Sequence, residues 1–169
     1  RGATGAAGEL GIYNQRADES VIQANALNLG RWEIDLGMSR RAQDALKKGE
    51  PSMMKDLAGG HIEKETAKEI IKAAKEKDAL AVRIIEEAGR NLGMKIAFLA
   101  DLLNPEIIVI GGGIEECGAI LFDAIKTAVK DWAIEEVTSQ MKIIPSAFGE
   151  NSVALGVVGI VAREVFAQA

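Results

Sequence analysis

Three consecutive glycines, Gly111-Gly112-Gly113, follow four β-branched residues, Ile107-Ile108-Val109-Ile110. Glycine has no side chain, so a ligand can come against the backbone, and in open α/β sheets ligands sit beyond the carboxyl ends of the strands. Such a turn offers binding chemistry, not bond-making. The same pattern also makes a plain tight turn with nothing bound. Two other residues could do chemistry by type. His61 is the only histidine, set in a glycine-broken loop with no nearby cysteine or clear acid partner. It reads as a surface residue, because one imidazole cannot make a metal site alone. Cys117, the only cysteine, lies four residues after the glycines. A helix N-terminus lowers a thiol pKa, but Glu115 and Glu116 oppose that, so Cys117 reads as structural. The same two acids make this helix end a poor cradle for phosphate, and any nucleotide docking here would bring its neutral adenosine end.

A frame must hold that turn in place. Pro105 ends a helical pattern, since proline lacks an N–H and disfavours helix at the residue before it. The junction reads helix, proline, strand buried on both faces, glycine turn, helix. Upstream, a helix is predicted from Glu33 or Asp35 to Lys48, stopped at Gly49, and a short one over Met53 to Leu57 with Ser52 as its N-cap. Another covers about Lys64 to Lys75, with Ala67, Ile70, Ile71 and Ala74 on one stripe. Asp78 opens the longest helix, in which Leu80, Ile84, Ile85, Ala88, Leu92, Ile96 and Leu103 keep helical spacing. Gly89 and Gly93 lie inside it, and close approach of another backbone would explain them. Beyond the glycines come a helix over much of Glu116 to Trp132 and a strand at about Met141 to Ile144. The last helix, about Ser152 to Phe166, is apolar almost all round and is expected to be buried.

With 169 residues, 48% hydrophobic and 27% charged, the chain has the makings of one globular domain. A net charge of -5 argues against direct contact with nucleic acid by this segment, which would want a basic face. No apolar run approaches the ~20 residues of a membrane span. A single cysteine cannot form an internal disulfide, so a reducing cytoplasm is the expected setting. The chain opens with Arg1 directly into a glycine-rich turn, which reads as the later part of a longer polypeptide.

Three segments in order carry a family resemblance. Gly5-Ala6-Ala7-Gly8-Glu9-Leu10-Gly11 is similar to the G-x-x-G-E-[IL]-G-H segment of the ROK family of repressors, open reading frames and kinases. Leu103-Asn104-Pro105-Glu106 through Gly113 resembles that family's helix–NPE–strand–GGG junction. Met141 to Pro145 and Asn151-Ser152-Val153-Ala154-Leu155-Gly156 follow its ending. The resemblance spans the chain but only the second half of a typical member. It implies an α/β, helix-rich C-terminal lobe of an actin-like, ribonuclease-H-like ATPase fold of hexokinase type, residues 1–169 forming that one domain.

Members phosphorylate sugars with ATP and Mg or, with an added DNA-binding segment, act as sugar-responsive repressors. By resemblance, Glu9 reaches sugar hydroxyls and Glu33, in Gly30-Arg31-Trp32-Glu33, matches a second sugar-contacting glutamate. A carboxylate accepting two hydroxyls suits that task, since charged hydrogen bonds are the stronger ones. Gly111, Gly112 and Gly113 would face adenosine. The family's zinc site is missing: Ile12 stands at its histidine, and Ala24, Ala26 and Arg31 at its cysteines, so no zinc is expected. Ile12 also removes a polar contact to sugar. The phosphate-binding D-x-G-x-T turn and the catalytic aspartate of N-D-A do not occur here, so no catalytic residue is assigned. The leading expectation is therefore the sugar- and nucleotide-contacting half of an ATP-dependent sugar kinase, inactive alone and forming a homodimer. The rivals are a sugar-sensing, dimerising domain of a repressor and a degenerate, non-catalytic module.

Overall fold

A computed structural model describes residues 36–61 and 66–166. Helix α1 (Met38–Lys47) begins later than the sequence suggests. Leu36 and Gly37 have φ of 57° and 73°, and no right-handed helix runs through two such residues. Its buried face is Met38, Ala42, Ala45 and Leu46. The stop is the expected one: Gly49 sits at φ 85°, and the Glu50 N–H reaches back to the Ala45 carbonyl at 3.1 Å. Helix α2 (Met54–Leu57) is a single turn, whose Met54 N–H donates to Ser52 Oγ at 3.1 Å.

Helix α3 (Ala67–Lys75) opens on a capping box, with the Thr66 N–H donating to the Glu69 carboxylate at 3.1 Å. Helix α4 (Ala79–Leu103) has 25 residues, or ~37 Å at 1.5 Å per residue. One Asp78 oxygen accepts the Ala81 N–H at 3.0 Å and so caps α4. The other accepts the Ser52 hydroxyl at 2.9 Å and the Met53 N–H at 2.8 Å. A single carboxylate thus starts the longest helix and pins α2 to it. At the far end Asn104 takes the left-handed cap, φ 45°, and Pro105 prevents continuation.

The main packing is α4 against α5 (Gly118–Trp132). A Cβ added at Gly89 would lie 2.7 Å from Ala124 Cβ and 2.8 Å from the Leu121 carbonyl oxygen. At Gly93 the same atom would lie 2.6 Å from Ala128 Cβ and 2.7 Å from the Ile125 oxygen. The two glycines are therefore the price of two helix backbones in near contact, as their spacing suggests. Around this seam the core is aliphatic, with Ile85, Leu121 and Ile125 fully buried.

Strands β1 (Ile107–Ile110) and β2 (Lys142–Pro145) pair in parallel, from Ile107 with Lys142 to Ile110 with Pro145. The crossover runs through α5 and α6 (Glu135–Gln140). The Lys142 N–H donates to the Glu106 carbonyl at 2.9 Å and the Ser146 N–H to the Ile110 carbonyl at 2.7 Å. By strand alternation, Ile143 and Pro145 turn their main chain to the outer edge. Proline there has no N–H to offer a further strand, so β2 is built as an edge.

Two expectations about burial are corrected. Strand β1 is not buried on both faces: Ile110 is buried and Ile108 packs on the core, but Ile107 and Val109 are 51% and 59% exposed. Ile144, opposite Val109, shares that open face. The run of β-branched residues suits a doubly covered strand, yet only one helical layer covers it among the described residues. Helix α7 (Ser152–Phe166) is likewise exposed, with Val158 at 63% and Phe166 at 76%. Its main contact is the 3₁₀ turn Gly149–Asn151 just before it, so a mostly apolar helix packs little against the rest of the described residues. No helix there is long and apolar enough to cross a membrane.

Candidate functional site

The glycine turn is the site that the described residues build. Ile110 is anchored in the core, and the chain then leaves the sheet through Gly111. Gly112 and Gly113 have φ of 90° and 94°, a region side chains disfavour. A Cβ at Gly112 would meet nothing within 4 Å. Glycine is thus required there by the backbone twist, and the space above it is open to a ligand. Beside it lies a hollow of about 540 Å³, walled by Leu92 and Ile96 of α4 and by Ile108, Ile110, Gly111 and Gly112. Its lining carries no charged side chain, which suits a flat neutral group better than a phosphate.

Past the glycines, a 3₁₀ turn (Ile114–Cys117) precedes α5, where the sequence suggested α-helix. Glu115 folds back so that its Oε2 accepts the Gly113 N–H at 2.8 Å. This bond removes a donor that an anion would otherwise use, and it fixes the turn. The other oxygen, Oε1, is buried with no hydrogen-bond partner among the described residues. It lies beside Gly149, 3.9 Å from where a Cβ of that residue would stand. By sequence alone Glu115 is only a repulsive charge. The missed signal was an acid two residues past the last glycine, within reach of its N–H.

Cys117 is buried, and burial pushes its thiol up to about 11, with the charge of Glu116 adding to the rise. The thiolate is the reactive form, so this cysteine is packing and not nucleophile, as expected. His61 is exposed. The structure brings Gly111 and Gly112 to one hollow, Gly113 is the next residue of the turn but does not line it, and Glu9 and Glu33 lie outside the described residues. So do Ile12, Ala24, Ala26 and Arg31.

The model of the ROK family matches residues 33–164. The chain belongs to the ROK family. The DNA-binding transcriptional dual regulator NagC of Escherichia coli K12 is 31% identical over 96% of this chain and 38% of its own length. A glucokinase of Thermotoga maritima is 30% identical over 75% of this chain and 39% of its own. The chain therefore spans well under half the length of either relative. The crystal structure of a ROK family glucokinase from Streptomyces griseus, in complex with glucose and AMPPNP, is similar with a TM-score of 0.63. That likeness, at 24% identity over 69% of this chain and 38% of that one, shows a shared fold. Regulators and sugar kinases are thus both among the ROK relatives.

Proposed function

We propose that the chain is the sugar- and nucleotide-contacting half of a ROK-type, ATP-dependent sugar kinase, the C-terminal lobe of an actin-like fold. One observation carries the reading: a left-handed glycine with open space above it borders an uncharged, apolar hollow. An adenosine ring fits that chemistry, and the Glu115 carboxylate that closes the turn turns phosphate away from it. The ATP phosphates and their Mg would belong to a partner lobe. Glu9 and Glu33 would hold sugar hydroxyls. Zinc has no place in this reading, because Ile12, Ala24, Ala26 and Arg31 offer it no ligand.

Binding groups do not move a proton. A positioned base contributes ~10²–10⁴-fold to such a step, and none is assigned in this chain. The assay is ATP consumption with hexoses and N-acetylhexosamines. The chain alone gives no sugar-dependent turnover. A polypeptide extended upstream of Arg1 gains it, and Glu9→Ala abolishes the gain. Turnover by the chain alone at ~1 per second or faster, the ordinary enzyme range, would refute the division of labour.

A second reading, the sugar-sensing domain of a repressor, is favoured by extent of match. The NagC alignment covers 96% of the chain and the Thermotoga glucokinase alignment 75%. In that case the extended polypeptide carries a helix-turn-helix, binds sugar and consumes no ATP.

A further inference from the structure

A second hollow, of about 660 Å³, lies away from the glycine turn, between α5, α6 and the beginning of β2. Its floor is apolar, made by Val129, Met141 and Ile143, and its rim carries Lys126, Lys130 and Lys142. Lys126 and Lys130 are one helical turn apart, so their ammonium groups stand on one side of the groove. All three lysines are exposed, and none enters an ion pair among the described residues. The only acid in the lining is Glu135. In a chain of net charge -5, three lysines around an apolar floor are a local reversal of sign.

We propose that this groove docks an acidic segment of a partner protein, one that presents carboxylates beside a large apolar side chain. The lysines take the carboxylates and the floor takes the apolar anchor. Strand addition contributes little. Pro145 has no N–H, and the Met141 N–H already donates to the Val137 carbonyl at 3.2 Å, which leaves Ile143 as the one edge residue able to pair both ways. Recognition therefore rests on side chains. A nucleic-acid backbone fits less well, since it has no use for the apolar floor and meets the acid of Glu135.

The probe is a fluorescein-labelled decapeptide of Asp, Glu, Leu and Phe, titrated against the full chain by anisotropy. Controls are its Lys-for-acid counterpart, an all-acidic peptide without Leu or Phe, and a 20-base-pair DNA duplex. Saturable binding is expected for the first peptide, weakened at least fivefold by Lys126→Gln with Lys130→Gln. These are exposed positions, and unchanged circular dichroism of the double variant shows that folding is intact. Hydrogen exchange with the peptide bound slows at Met141 to Ile144. Equal binding of the basic peptide, tighter binding of the duplex, no binding at millimolar peptide, or an affinity indifferent to both lysine changes would each overturn the proposal. So would protection confined to α7 and the open face of β1, which would mark plain hydrophobic capture.

Discussion

The side chain of Asp78 shows how much one residue can carry. Its carboxylate accepts from Ala81, Met53 and Ser52, joining a helix start to a loop 25 residues upstream. Asp78→Ala should cost about 2 kcal/mol, a lost cap plus a lost charged hydrogen bond. The urea midpoint reads it, and an unchanged midpoint would show the contacts to be idle. Cys117 makes a different prediction. With its thiol raised to about 11 by burial, the folded chain holds it neutral, so iodoacetamide at pH 8 should label it far more slowly than in urea. The sign for stability follows. A folded value above the ordinary 9.0 favours the folded state fully below that pH, and the benefit is lost as pH rises through about 11. Cys117→Ser should flatten that alkaline decline relative to the natural chain. Glu69 runs the other way: its bond from the Thr66 side chain lowers its pKa, so the capping box helps at neutral pH and loosens in acid. Asp78 as a helix start was legible from its place before an apolar stripe. Its reach to Ser52 was not, because no local pattern encodes a bond across 26 residues.

Among the elements, the α4–α5 seam was the most readable. Two glycines four apart in a helix cost stability unless a backbone needs the room, and the atoms of Leu121, Ala124, Ile125 and Ala128 occupy it. Gly93→Ala sets a helix-propensity gain of about 1 kcal/mol against overpacking. The added Cβ would meet a backbone oxygen at 2.7 Å and a Cβ at 2.6 Å, neither of which can swing aside. A net loss of about 1–2 kcal/mol is expected by denaturant titration, and a net gain would mean that the helices part at no cost. Strand β1 and the bounds of α7 were also readable, from β-branching and an unbroken apolar run. Their burial was not, because composition says that a face wants cover and not what supplies it. The start of α1 was misjudged for a local reason: Leu36 is a non-glycine residue at φ 57°, a conformation that its side chain does not announce.

At the scale of the whole molecule, two apolar surfaces lie open among the described residues. On the face of β1 Ile107 and Val109 are exposed, and so are Val158, Val161 and Val165 of α7, and large exposed apolar surface seeks a partner. The chain should therefore self-associate, with sedimentation giving a weight-average mass that rises through the micromolar range. A monomer throughout would contradict it. The family and a helix-rich α/β class were legible in the sequence, and the hollow beside the glycines was not, since its α4 wall comes from Leu92 and Ile96, far off in sequence. The nucleotide proposed for this turn would set its neutral end against Gly111 and Gly112. That placement is tested most directly by titrating adenosine and AMPPNP into the ¹⁵N-labelled chain and following backbone amides. Saturable shifts are expected at Gly111, Gly112 and Ile114 with both ligands, with little gain from the phosphates, because Glu115 occupies the Gly113 N–H and Glu116 follows it in the chain. Shifts that appear only with AMPPNP, or glycine amides that stay still at millimolar adenosine, would contradict it.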